Sequence, residues 1–225
     1  MKIAVLGTGT VGRTIAERLA GLGHAVTIGT RDPQATLART GVDAMGNVPF
    51  ADWSAKNAGI GIARFPAAAA GAELIVNATN GGASLDVLAQ AGAENLEGKV
   101  ILDIANPLDF SNGMPPTLFV KDTDSLGEQI QRAFPAAHVV KSLNTLNAGL
   151  MANPGRLSEA STVFVSGNDA DAKHTVTELL KEFGHQDVID LGDITTARGT
   201  EMLLPVWLRL WGALGTPEFN FKIVR

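Results

Sequence analysis

Apolar residues recur along this chain with two alternating spacings, and the alternation predicts its elements. The runs Lys2-Ile3-Ala4-Val5-Leu6, Leu74-Ile75-Val76-Asn77-Ala78, Lys99-Val100-Ile101-Leu102-Asp103-Ile104 and His138-Val139-Val140-Lys141 are short and nearly continuous, as in strands covered on both faces. Residues 25–28, 60–64, 162–167 and 188–190 read as further strands. Between them the spacing turns helical. Over residues 11–22, Val11, Ile15, Leu19 and Leu22 share one side while Arg13, Glu17 and Arg18 share the other. Residues 84–91 and 169–183 repeat the pattern, the second with Val176, Leu179, Leu180 and Phe183 apolar. Shorter helices are predicted over 33–40, 66–70 and 125–134, where Ser125 and Glu128 stand at capping-box spacing. Strands alternating with helices imply a mostly parallel sheet with helices on both faces, whose ligands bind at the carboxyl ends of the strands.

Three stretches break the alternation. Residues 41–57, with Gly41, Gly46, Pro49, Trp53, Lys56 and Asn57, read as a long loop, and its part from Met45 to Asn57 is either a lid over a cleft or a packing insertion. Residues 108–123 carry Gly113 and Pro115-Pro116 and read as irregular; Met114, Leu118 and Phe119 there are expected to pack against the sheet edge rather than cover a pocket. The last helix, over 196–214, aligns Leu203, Trp207, Leu210, Trp211 and Leu214 on one stripe widened by Leu204 and Leu208, with a kink expected at Pro205. Such a stripe is covered by core or by a second subunit, and a homodimer is the expectation. Residues 219–223 are expected to add a closing strand.

The first turn carries the most specific chemistry. Gly7-Thr8-Gly9-Thr10-Val11-Gly12 lies between a predicted strand and a predicted helix, the setting in which G-x-G-x-x-G binds a dinucleotide. Gly7 makes the tight turn, Gly9 lets a pyrophosphate reach the backbone, and Gly12 lets the helix pack on the strand. Unpaired N–H groups at the helix start favour the anion. This identifies a Rossmann-type, doubly wound α/β fold, with residues 1–147 as the nucleotide-binding domain and 148–225 as a smaller α/β extension that contributes to the acceptor pocket and to dimerisation. A cofactor with a free 2′-hydroxyl is held by an acidic residue about 20 positions after the glycines. Thr30 and Arg31 stand there instead, and a hydroxyl with a guanidinium suits a 2′-phosphate, so NADP(H) is preferred. The alternatives are that Arg31 pairs with Asp32, or that Asp32 is the acidic residue displaced.

Composition narrows the chemistry. The 225 residues include 25 glycines and carry a formal charge of -5, which fits small-molecule partners and argues against nucleic acid. A short apolar start and the lack of any long uncharged apolar stretch give the expectation of a cytoplasmic protein that does not enter a membrane. With no cysteine, thiolate metal sites are excluded; with no tyrosine, so is a Tyr-Lys dehydrogenase. No lysine has an asparagine four residues on, and none of the four histidines can be placed with an acid at the strand ends. The acceptor is therefore read as one that needs only hydride, a flavin-like ring, with the protein acting mainly by orientation. The strand-end residues Asn77, Ala78, Thr79, Asn106, Asn144 and Thr145 suit carboxamides and ring heteroatoms. Half of them are equally read as turn and cap residues.

The sequence resembles the NADPH-dependent coenzyme F420 reductases, relatives of the oxidoreductase domain of STEAP metalloreductases. The likeness rests on the glycine turn, on Gly23-His24-Ala25-Val26 leading to Gly29-Thr30-Arg31, on Asp103-Ile104-Ala105-Asn106-Pro107-Leu108, and on Lys141-Ser142-Leu143-Asn144-Thr145-Leu146. The resemblance implies an NADP-dependent oxidoreductase with Thr8, Thr10 and Val11 on the phosphates and Thr30 and Arg31 on the 2′-phosphate. It implies hydride exchange with F420 or a flavin near Ala78, Asn106 and Asn144. An imine reductase of the pyrroline-carboxylate type and a non-catalytic NADP-binding redox sensor are the alternatives.

Overall fold

A computed structural model describes residues 1–42 and 46–225. The chain opens with β1 (Lys2–Leu6), α1 (Thr10–Gly21) and β2 (Ala25–Thr30), followed by α2 (Pro33–Leu37), α3 (Phe50–Lys56), β3 (Gly61–Arg64), α4 (Phe65–Ala70) and β4 (Leu74–Asn77). It continues through α5 (Ser84–Ala91), α6 (Ala93–Leu96), β5 (Val100–Asp103), a ribbon of β6 (Leu108–Asp109) and β7 (Thr117–Leu118), α7 (Leu126–Ala133) and β8 (His138–Ser142). Then come α8 (Ala148–Ala152), β9 (Thr162–Gly167), α9 (Ala170–Phe183), β10 (Asp187–Gly192), α10 (Ala197–Met202) and α11 (Leu204–Leu214).

Eight strands form one sheet in the order β10-β9-β8-β5-β4-β1-β2-β3. All neighbours are parallel except β8 and β9, so the expected doubly wound, mostly parallel sheet is present. β1 shows why its run is apolar throughout. Ile3 and Val5 enter the core beneath α1, α8 and α9, while Ala4 and Leu6 enter a second core beneath α4, α5 and α7. Residues 162–192 extend the same sheet through β9 and β10. No helix among the described residues is long and apolar enough to cross a membrane.

Three expectations change. Residues 50–56 are helix, not loop, and Trp53 is buried with its Nε1 donating to Glu17 of α1. This stretch therefore packs as core; Met45, at the start of the expected loop, lies outside the described residues. Residues 219–223 form no strand, and individual bonds hold them to β9, with Thr162 N donating to Phe221 O at 2.9 Å. Met114 and Phe119 do not pack on the sheet edge: they are exposed on the β6–β7 ribbon, because its two short strands stand off the main sheet. The kink expected at Pro205 is present: the last helix breaks into α10 and α11 at Leu203, two residues before Pro205, as proline's missing N–H requires.

Candidate active site

The glycine turn has the geometry its spacing implies. Gly7 adopts φ +132°, and a Cβ there would meet the Ala78 carbonyl oxygen at 2.4 Å, so the turn lies directly against the end of β4. A Cβ at Gly12 would stand 2.2 Å from the Gly7 oxygen, which is how closely α1 returns over the strand. Gly9 is different. It is the N-cap of α1 and supplies no capping side chain, and nothing lies within 4 Å of where its Cβ would stand. An open approach to uncapped helix N–H groups fits an anion such as a pyrophosphate. Thr8, Thr10 and Val11 all border it and are half-buried.

Side chains from three other segments close on this turn. Arg13, which directly follows the motif, is buried; its Nε donates to Thr8 O at 3.1 Å, its Nη1 to Val48 O at 2.7 Å, and it lies over the Phe50 ring. Asn47 Nδ2 donates to Thr10 Oγ1 at 2.6 Å, and Arg39 Nη1 to Thr8 Oγ1 at 3.1 Å. At the end of β2, Thr30 faces inward and shares a 2.8 Å hydrogen bond with the Thr36 hydroxyl, so its side chain is not offered to a ligand. Arg31 is exposed, with no hydrogen-bond or ion-pair partner among the described residues. Asp32 is occupied as the N-cap of α2, accepting from Ala35 N at 3.0 Å, and does not pair with Arg31. Arg64 of β3 is in register with Thr30 and exposed, which adds a guanidinium to the same rim.

The strand ends on the other side are interlocked rather than open. Asn77 is completely buried: its Nδ2 donates to Asp103 Oδ1 at 2.8 Å and to Ser84 Oγ at 3.1 Å, and its Oδ1 accepts from the Thr79 hydroxyl at 2.7 Å. It joins β4 to β5 and α5, and its amide is not presented to a ligand as the sequence suggests. Asn106 and Asn144 do meet. Asn106 Nδ2 donates to Asn144 O at 2.8 Å, Asn144 Nδ2 donates to Asn106 Oδ1 at 3.0 Å and also to Thr200 O at 3.1 Å. This leaves Asn144 Oδ1 as an acceptor and one Asn106 N–H as a donor, neither with a partner among the described residues. Thr145 is buried beside them. Leu143, within the same turn, has φ +60°, an uncommon conformation for a non-glycine residue that is kept where surrounding structure imposes it. Gly81 permits the neighbouring turn, since a Cβ would stand 2.0 Å from the Asn106 carbonyl oxygen. Beside it a hollow of about 220 Å³ is lined by Gly81, Gly82, Leu85, Phe119, Leu126 and Gln129.

Below these turns lies an ion cluster with no exposure. Lys141 Nζ contacts Asp103 Oδ2 at 2.6 Å, Glu201 Oε1 at 2.8 Å and Ala105 O at 2.6 Å. Glu201 also accepts from Leu126 N at 2.8 Å and Gly127 N at 3.0 Å, which docks α10 on the first turn of α7. Burial alone would lower the Lys141 pKa, yet Asp103 and Glu201 outweigh it and hold the ammonium above the usual lysine range. Arg198 of α10 adds a two-pronged bond to Glu128 of α7, and that guanidinium, opposed by partial burial, keeps the Glu128 carboxyl below its usual range.

Asp103, Lys141, Glu201 and Arg39 are thus functional candidates to which the sequence reading assigned no role. Lys141 had a signal: a lysine that follows Val139 and Val140 in a strand expected to be covered on both faces must find charged partners when buried.

The family described as NADP oxidoreductase, coenzyme F420-dependent, matches residues 2–107. The crystal structure of a candidate F420-dependent NADP-reductase from Arthrobacter sp. FB24 is 67% identical, with a TM-score of 0.95 over 100% of both chains. Metalloreductase STEAP3 of Rattus norvegicus is 29% identical over 212 residues, 92% of this chain and 38% of that protein. The F420-dependent NADP reductase of Methanocaldococcus jannaschii is 26% identical over 118 residues, 52% of each. The matched part thus spans about half or less of these two curated relatives.

Proposed function

Because the chain belongs to the coenzyme F420-dependent NADP oxidoreductase family, we propose that its crevice binds NADP(H) and passes hydride between it and a flavin-like or deazaflavin acceptor. The observation that supports this most is the pairing of an open, uncapped α1 N-terminus at Gly9 with the unpartnered Arg31 at the end of β2. The first suits a pyrophosphate and the second a 2′-phosphate. When bound, NADPH supplies the hydride. The chain's own work is to orient: Arg31 and the rim around it fix one end, while the acceptor oxygen of Asn144 and the donor N–H of Asn106 complement a carboxamide at the other. Residues 1–147 hold the cofactor in this reading, and 148–225 complete the acceptor side and dimerise.

Incubating the protein with NADPH and, in turn, F420, FMN, FAD and a ferric chelate, while following loss of the reduced nicotinamide absorbance, tests the reading. Oxidation with a ring acceptor supports it. NADPH binding without oxidation by any of them would favour a redox sensor.

A further inference from the structure

The buried cluster under the amide pair contains more charge than a joint needs. A single lysine–carboxylate pair would tie β5 to β8, and apolar residues of the same volume commonly serve as well. Here two carboxylates surround one ammonium. Every oxygen of both faces donors: Asp103 takes Asn77 Nδ2, Ala105 N and Lys141 Nζ, and Glu201 takes Lys141 Nζ, Leu126 N and Gly127 N. Two carboxylates set around one ammonium, with donors on every oxygen, give the cluster one net negative charge. The N-terminus of α7 offsets about half of it. The cluster also grips the two turns of the crevice, through Ala105 O beside Asn106 and through Thr200, whose carbonyl takes Asn144 and whose neighbour is Glu201.

We propose that Asp103 and Glu201, set around Lys141, are electrostatic positioning residues whose net negative charge makes the crevice favour the cationic, oxidised nicotinamide over the neutral, reduced one. This rests on the reading that the crevice takes NADP(H). Complete burial matters, because water and salt screen such a charge little. The bound couple then has a lower reduction potential than it would have without the cluster, and hydride donation is favoured.

The test uses binding alone. Wild type and Glu201→Gln are titrated separately with NADPH and NADP+. The variant is expected to lose about tenfold more affinity for NADP+ than for NADPH, equivalent to about 30 mV for a two-electron couple. A purely structural joint would move both affinities together, and so would partial unfolding, since both ligands sample the same folded fraction. Equal losses, or none, overturn the proposal. Asp103→Asn removes the same charge from the sheet side; it must shift the ratio in the same direction, and it carries the test if Glu201→Gln does not fold. Wild type binding neither nucleotide would instead overturn the proposed function, and this inference with it.

Discussion

The two ends of the crevice are built in opposite ways. Around Gly9 and Arg31 the chain leaves donors exposed and unsatisfied, so that part has capacity a ligand can take up. Around Asn77, Asn106 and Asn144 nearly every polar atom is already paired within the protein, down to a buried lysine with two carboxylates. Affinity comes from the first kind of surface, because unmade hydrogen bonds are made on binding. Geometry comes from the second, because a side chain held by several bonds does not reorganise when the ligand arrives.

If that division holds, substitutions at the two ends fail in different currencies. The largest effect is expected at the paired end. Lys141→Met leaves Asp103 and Glu201 buried without their shared cation, and unfolding free energy should fall by about 3–5 kcal/mol in denaturant titration. A loss below about 1 kcal/mol would mean that the cluster is solvated and not a joint. Arg31→Ala should leave stability unchanged but weaken NADPH between about tenfold and a hundredfold, with NADH unaffected. Equal weakening of both cofactors would break the comparison at its open end.

Gly81→Ala sharpens the boundary between the two. Its Cβ would press on the Asn106 carbonyl oxygen, backbone against backbone, and cannot be relieved by a flexible side chain. Overpacking of this kind costs about 1–3 kcal/mol. The expected signature is a drop in turnover with any ring acceptor while the NADPH dissociation constant stays within twofold. If NADPH binding falls instead, the amide pair serves affinity and the division is wrong.

What the sequence made legible follows the same divide. The glycine turn was readable because its spacing is local and two of its glycines each answer one steric demand: Ala78 O for Gly7, Gly7 O for Gly12. The parallel sheet was readable because strands covered on both faces are apolar throughout. The pairing of Asn77 was not legible because an amide at a strand end looks the same in sequence whether it faces a ligand or a buried aspartate 26 residues on. The inward bond of Thr30 was hidden for the same reason, its partner Thr36 lying within an exposed helix. Glu201 left no trace, since a carboxylate on a helical stripe is ordinarily solvated and only the docking of α10 on α7 buries it. Trp53 sat between glycines and a proline, a composition that reads as loop, and burial against α1 made it helix.

The smallest effect separates this crevice from the rest of the C-terminal region by pH. His185, remote in sequence from the crevice turns, is buried with Nε2–H donating to Met151 O at 2.9 Å and Nδ1 without a partner among the described residues. Burial above all, with the charge of Arg18 adding to it, holds its pKa below the ordinary histidine value. A group depressed in the folded state binds more protons unfolded, so its contribution is complete above about pH 6.5 and is lost as pH falls below it, at up to about 1.4 kcal/mol per pH unit. Lys141 has the opposite sign: raised in the fold, its contribution is complete at neutral pH and is lost only as pH climbs past the usual lysine range. His185→Gln, which keeps a donor for Met151, should therefore flatten the stability profile between pH 7 and 5 and leave the alkaline limb in place. An acid limb unchanged in that variant would move the sensitivity elsewhere, and the first place to look would be Glu128, whose carboxyl Arg198 holds below its usual range.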